Sequence, residues 1–100
     1  MFSFEAFVLW LRTWANQISG REAAIEVLES SSTIPSVLFR LSGKSVEAEL
    51  VVWANGRSSA MVFDLTNDQY VVDRHDAILT GAFEVELYHF CAEVEHRVEA

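Results

Sequence analysis

The dipeptide Asn55-Gly56 stands between two runs, residues 45–54 and 57–65, that both have the composition of β-strands. An Asn-Gly pair in this position is typical of a two-residue type I′ turn, because both central residues of that turn need a positive φ angle. The turn would place Ala54 opposite Arg57. Every pair further out is then determined, since side chains alternate between the two faces of a strand.

With this register, apolar residues fall on both faces of the hairpin. One face, which we expect to be core, pairs Val52 with Ser59, Leu50 with Met61, Ala48 with Phe63 and Val46 with Leu65. The other face mixes apolar side chains with carboxylates: Glu47, Glu49, Val51, Trp53, Ala60, Val62 and Asp64. A core rarely holds several unpaired acids, and a solvated face rarely holds tryptophan. We therefore predict that a partner covers this second face.

Periodicity along the rest of the chain predicts a helix, five strands and a second helix. The predicted bounds are helix 3–19, strands 22–29, 36–42, 45–54, 57–65 and 69–74, and helix 80–98. Gly20 is expected to end the first helix in the left-handed conformation, and both Trp10 and Trp14 are expected to lie in the core. The fold class is α+β: an antiparallel β-meander of four to five strands with both helices packed on one face. The alternative is that a helix or the first loop folds over the other face.

The turn before the Asn-Gly hairpin is predicted at Gly43-Lys44, as type II′. It pairs Ser42 with Ser45, keeps the same core face and places Arg40 across from Glu47 as an ion pair. On the fifth strand, Tyr70 and Val72 are expected to face the core. The predicted partner-binding face is then Leu38, Arg40, Glu47, Glu49, Val51, Trp53, Ala60, Val62, Asp64 and Asp73.

Composition restricts the class of protein. With 100 residues, 51% of them apolar, residues 1–100 are expected to form a single domain with its own core. The net charge of −8 argues against nucleic acid or an anionic membrane as partner and favours a basic protein. The apolar N-terminus is interrupted by polar residues and lacks a signal peptide's features, and the single Cys91 suits a reducing compartment. We therefore expect a cytoplasmic location.

Signals for chemistry are weak. The sequence has no phosphate-binding glycine loop, zinc motif or nucleophile elbow, so no catalytic residue, metal, cofactor or small-molecule substrate is predicted. The cluster Asp73-Arg74-His75-Asp76 is interpreted as a solvated loop. His89 and Glu93 have helical i, i+4 spacing but lack a third ligand, and Cys91 is interpreted as a small buried hydrophobe.

The order of features resembles a known family. The features are an aromatic N-terminal helix with Trp10-Leu11 and Trp14, the segment Val51-Val52-Trp53-Ala54-Asn55-Gly56, Asp64-Leu65 before a turn, and a C-terminal helix after Leu79. This pattern is similar to the TriTu-type immunity proteins that are encoded beside Rhs polymorphic toxins. The resemblance implies a non-enzymatic inhibitor that forms a heterodimer with a cognate toxin domain, an ADP-ribosyltransferase directed at elongation factor Tu, and occludes its active site.

Two other classes remain open. A small acidic secretion chaperone or adaptor would use the same apolar face to dimerise or to hold an effector protein. An enzyme would need a convergent polar pocket, which the sequence does not place. A concentration-independent dimer would favour the chaperone, and a monomer would favour the inhibitor.

Overall fold

A computed structural model describes residues 3–20, 23–78 and 83–98, without the side chains of 75–78 and 83–86. The elements are α1 (Phe4–Ile18), β1 (Ala23–Ser30), β2 (Ser36–Gly43), β3 (Val46–Trp53), β4 (Arg57–Asp64), β5 (Gln69–Ile78) and α2 (Phe83–Val98). The strands form one antiparallel sheet in the order β1-β2-β3-β4-β5. The predicted α+β meander is confirmed. Residues 22 and 80–82, which were assigned to a strand and a helix, lie outside the described residues.

Helix α1 begins where the sequence offers a capping side chain. The Ser3 hydroxyl accepts a hydrogen bond from the backbone N–H of Ala6, at 3.3 Å. At the other end, Ser19 keeps a right-handed conformation with φ of −70°, and its N–H donates to the carbonyl of Asn16. Gly20 does not adopt the left-handed conformation that we expected, because the last turn is closed one residue earlier by Ser19.

Both helices pack on the same face of the sheet. Trp14 of α1 lies against Phe39 of β2 and Phe90 of α2, with ring centroids 5.0 and 6.2 Å apart. Its indole N–H donates to Glu95 of α2 at 3.1 Å, so the one polar atom of this large side chain is satisfied. The core prediction is right for Trp14, which is 6% exposed, and wrong for Trp10, which is 40% exposed and stacks on Trp14.

The turn between β3 and β4 has three residues rather than two. The N–H of Gly56 donates to the carbonyl of Trp53 at 3.0 Å, and Gly56 has a φ of +92°, whereas Asn55 does not have the positive φ that a type I′ turn needs. This is the geometry of a type I turn followed by a glycine bulge. Val52 therefore lies opposite Ser58, one residue from the predicted partner. The predicted register is wrong, and a shift of one residue turns β4 over.

Between β2 and β3 the shift is two residues, so the faces are as predicted although the pairs are not. Gly43 is still part of β2, and the strands are joined through Lys44 and Ser45. Arg40 consequently lies opposite Glu49 and pairs with its carboxylate at 3.3 Å. The predicted Arg40–Glu47 pair does not form.

Strand β5 is irregular. Val62 pairs with Val72, but the next pair is Phe63 with Tyr70, because β5 contains a bulge here. Val72 lies in the core as predicted. Tyr70 lies on the opposite side of the sheet, where it is 57% exposed and its ring contacts that of Phe63. The predicted strand ended at residue 74, whereas β5 continues to Ile78, so the cluster 73–76, interpreted as a solvated loop, belongs to the strand.

Candidate functional site

The side of the sheet that faces away from both helices is the candidate site, and we call it the outer face. The pairing of the strands arranges its side chains in rows that cross the sheet. One row is Leu28, Leu38, Val51 and Ser59; a second is Glu26, Arg40, Glu49, Met61 and Asp73; a third is Ala24, Ser42, Glu47, Phe63 and Tyr70; and Trp53 lies with Ser36 at the end nearest the turn after β3.

The first row is an apolar stripe that begins at the edge of the sheet. Leu28 is 53% exposed, and Leu38 and Val51 are half-buried against their neighbours in the sheet. Trp53, also half-buried, lies two residues along β3 from Val51 and extends the stripe. These apolar side chains stay accessible because the described parts of both helices contribute their buried residues to the opposite face.

The second row is charged. Arg40 is flanked by Glu26 on β1 and Glu49 on β3, and it forms an ion pair with Glu49. The side chains of Arg40 and Glu49 are 53% and 39% exposed, so the pair contributes less than about 1 kcal/mol. Glu26 and Glu47 are exposed and form no ion pair with any residue that the structure describes. Carboxylates thus border the apolar stripe and the two rings of Phe63 and Tyr70.

Most of the predicted binding residues lie on the outer face: Leu38, Arg40, Glu47, Glu49, Val51, Trp53 and Asp73. Ala60, Val62 and Asp64 do not, because the three-residue turn directs them toward the helices. Val62 is 0% exposed. Their places are taken by Met61 and Phe63, which sequence reasoning assigned to the core. The signal for them was the same Asn-Gly pair, since this dipeptide also suits a three-residue turn with a glycine bulge.

Asp64 has a structural role. Its carboxylate accepts hydrogen bonds from the backbone N–H groups of Thr66 and Asn67 at 2.9 and 3.0 Å, and from the Asn67 side chain at 2.9 Å. Arg97 near the end of α2 donates to it at 3.3 Å and also pairs with Glu93. These bonds, the Asn67 side chain first among them, hold the pKa of Asp64 below its ordinary value. Asp64 therefore fixes the β4–β5 turn and ties it to α2.

The other candidates for chemistry are separate from one another. Cys91 is buried, and desolvation, with a smaller effect of Glu95, raises the pKa of its thiol to about 12, so it stays protonated. Its interpretation as a buried hydrophobe is confirmed. His89 is exposed on α2, and no group of three or more potential ligands is placed for a metal within the described ranges. Of the cluster 73–76, Asp73 is exposed on the outer face, and the side chains of His75 and Asp76 lie outside the described ones.

No helix among the described residues is both long and apolar enough to cross a bilayer.

Comparison with known proteins adds no relative. No protein-family model matches the sequence, and neither a curated protein nor a solved structure is significantly similar to it.

Proposed function

We propose that this chain is an immunity protein, an inhibitor that binds a cognate toxin domain through the outer face and covers its active site. The observation that supports the proposal is the apolar stripe, Leu28 to Val51 with Trp53, bordered by carboxylates on the side of the sheet that the helices leave open. Such a surface combines an apolar anchor with charge that selects a basic partner.

The dimensions of the outer face suit a protein partner. Five strands about 4.8 Å apart and about eight residues long, at about 3.3 Å per residue, span roughly 600 Å² in plan. This is comparable with the roughly 800 Å² that each partner contributes to a stable interface. Trp53, Met61 and Phe63 are residue types that commonly contribute most of the binding energy when they are buried in a partner's pocket.

Charge supports the proposed mode of inhibition. The family resemblance suggests an ADP-ribosyltransferase as the toxin, and in this proposal its cleft holds the phosphates of NAD through cationic groups. Glu47 lies beside Phe63, and Glu49 lies beside Met61. A carboxylate next to an apolar anchor is suited to enter such a cleft. In this proposal the protein acts in the cytoplasm, where it protects the producing cell and its elongation factor Tu.

The test begins with the coding region next to this chain, where the proposal predicts a secreted protein with a variable C-terminal domain, and continues with co-expression of that domain. We expect the pair to co-purify as a heterodimer and the wild-type chain to restore growth. The double variant Trp53→Ala/Phe63→Ala should bind at least about 30-fold more weakly, corresponding to at least about 2 kcal/mol. The matched control is Leu9→Ala/Tyr88→Ala, which removes two side chains that are 69% and 77% exposed on the helices.

The outcome that contradicts the proposal is full protection by a folded outer-face double variant. Folding is checked by thermal unfolding, so that loss of protection is not confused with loss of structure.

A second candidate is a small acidic secretion chaperone or adaptor, and one observation favours it. The apolar stripe continues to the very edge of the sheet at Leu28, as a surface for a second copy would. The mass of the isolated protein in size-exclusion chromatography with light scattering separates the two: a dimer at all concentrations favours the chaperone, and a monomer favours the inhibitor.

A further inference from the structure

The two edge strands of the sheet differ. Strand β5 is interrupted by two register shifts against β4, which is a common way to prevent another strand from adding to an edge. Strand β1 pairs with β2 over eight consecutive residues without a shift, and no described strand pairs with its other side. Residues 23–30 contain no proline, and their charged residues, Glu26 and Glu29, oppose the addition of an acidic strand but not of a basic one. An extended segment can therefore add to β1.

The hydrogen bonds of the sheet show which groups of β1 point outward. The N–H of Ala54 donates to the carbonyl of Pro35 at 2.8 Å, so odd-numbered residues of β2 bond to β3 and even-numbered residues bond to β1. The residues of β1 that bond to β2 are then Ala24, Glu26, Leu28 and Ser30. Those whose N–H and carbonyl groups point away from the sheet are Ala23, Ile25, Val27 and Glu29.

The side chains of β1 define the chemistry of an added strand. Glu26 is exposed on the outer face and has no ion-pair partner among the described residues, and Leu28 beside it is the exposed end of the apolar stripe. On the helix side, Ile25 and Val27 are half-buried, and Glu29 is paired with Arg12 of α1 at 2.5 Å. The charged residues of 23–30, Glu26 and Glu29, are both acidic. In the two antiparallel registers of greatest overlap between two copies of β1, Glu26 lies opposite or diagonal to Glu26 of the other copy, which disfavours pairing between copies.

We propose that β1 accepts a sixth strand from the partner protein, an extended segment with lysine or arginine opposite Glu26 and an apolar residue opposite Leu28. The added strand continues the rows of the outer face, so it docks beside the surface that covers Trp53. Main-chain bonds to Ile25 and Val27 contribute affinity, and the side chains set the register. The inference rests on the proposed function in taking the partner to be a protein, and its test does not need the toxin.

The probe is the peptide Thr-Leu-Val-Lys-Val-Lys-Thr with blocked termini, which in antiparallel register places lysine opposite Glu26 and leucine opposite Leu28. Binding is measured by NMR titration, and backbone contacts are measured by amide hydrogen exchange. We expect the amides of Ile25, Val27 and Glu29 to exchange fast in the free protein and to become protected when the peptide binds. In the control peptide, glutamate replaces both lysines, and its affinity should be lower by a factor of about ten or more.

A pair of variants isolates the backbone contribution. Val27→Pro removes an outward N–H and no bond to β2, and proline is tolerated in an edge strand at such a position. Val27→Ala loses a similar part of the packing but keeps the N–H. We expect Val27→Pro to weaken peptide binding about tenfold relative to Val27→Ala, and the outer-face variant Trp53→Ala/Phe63→Ala to bind the peptide as the wild type does.

Three results with the peptide overturn the inference: no binding of the lysine peptide at millimolar concentration, equal binding by the two Val27 variants, or protection confined to residues outside β1. A concentration-dependent dimer that Val27→Pro abolishes would also overturn it, because the occupant would then be a second copy. If the toxin domain binds Val27→Pro normally but requires Trp53 for binding, the added strand is contradicted and the proposed function stays intact.

Discussion

The register of β4 is tested most directly by replacing two neighbouring residues, Val62 and Met61. Val62 is fully buried on the helix side, whereas Met61 is half-buried on the outer face. In the register of a type I′ turn the two positions would exchange their environments. The relative cost of the two truncations therefore reports which register forms.

The expected costs follow from burial. Val62→Ala removes two methyl groups, about 0.8 kcal/mol each in transfer free energy, and the cavity that remains adds about 1 kcal/mol. The free energy of unfolding should fall by about 2.5 kcal/mol, a large part of the total for a domain of this size, with a drop in Tm of about 10 to 20 °C. Met61→Ala should cost only about 1 kcal/mol, because its side chain is already partly in water and leaves no closed cavity.

The assay is urea unfolding followed by tryptophan fluorescence, with the midpoint and the slope recorded for the wild type and both variants. Equal slopes show that the midpoint reports stability rather than a change in the unfolded ensemble. The structural register is refuted if Met61→Ala costs more than Val62→Ala.

Three further predictions concern single residues. Gly56→Ala should lower the free energy of unfolding by about 1 to 2 kcal/mol, because φ is +92° there, while Gly20→Ala should be neutral or slightly stabilising. Urea midpoints check both variants, and equal effects would contradict the assigned turn. The pKa of Asp64 is below its ordinary 3.8, so its contribution to stability is complete above that pH and is lost as the pH falls through the folded-state pKa. Asp64→Asn should flatten the dependence of the urea midpoint on pH below about 4, and an unchanged slope would exclude this role. With a pKa of about 12, the Cys91 thiol should react with iodoacetamide at pH 8 only after unfolding in urea, and labelling of the native protein at the rate of a free thiol would contradict its burial.

Prediction from the sequence worked well where a local signal was unambiguous. The alternation of Val37, Phe39 and Leu41 on β2 placed these side chains in the core, where each is 0% exposed. The sequence period of α1 likewise identified Leu11 and Ile18 as core residues, which are 0% and 1% exposed. In both cases one face of the element is clearly more apolar than the other, which carries Arg40 and two serines on β2 and Arg12, Asn16 and Gln17 on α1, so burying the more apolar face is favoured.

Strand β4 shows where such reasoning stops. Ala60 and Val62 lie on one face and Met61 and Phe63 on the other, so hydrophobicity does not distinguish the two orientations. The pair Asn55-Gly56 allows either a two-residue or a three-residue turn, and these two turns place opposite faces against the helices. The residues predicted for the uncovered face therefore lie on the outer face in β2 and β3 and on the helix side in β4.

The sequence by itself predicted the order of the helices and strands and the presence of a mixed apolar and acidic face. For most of these elements it also predicted the bounds to within a few residues. Only the tertiary structure decided which face of β4 is buried. It did so through partners that are distant in the chain: Asp64 can be buried because Arg97 of α2 and the turn at Asn67 supply its hydrogen bonds. A carboxylate without those hydrogen-bond donors would be placed on the solvent side, and no local pattern in residues 57–64 predicts that the donors are present.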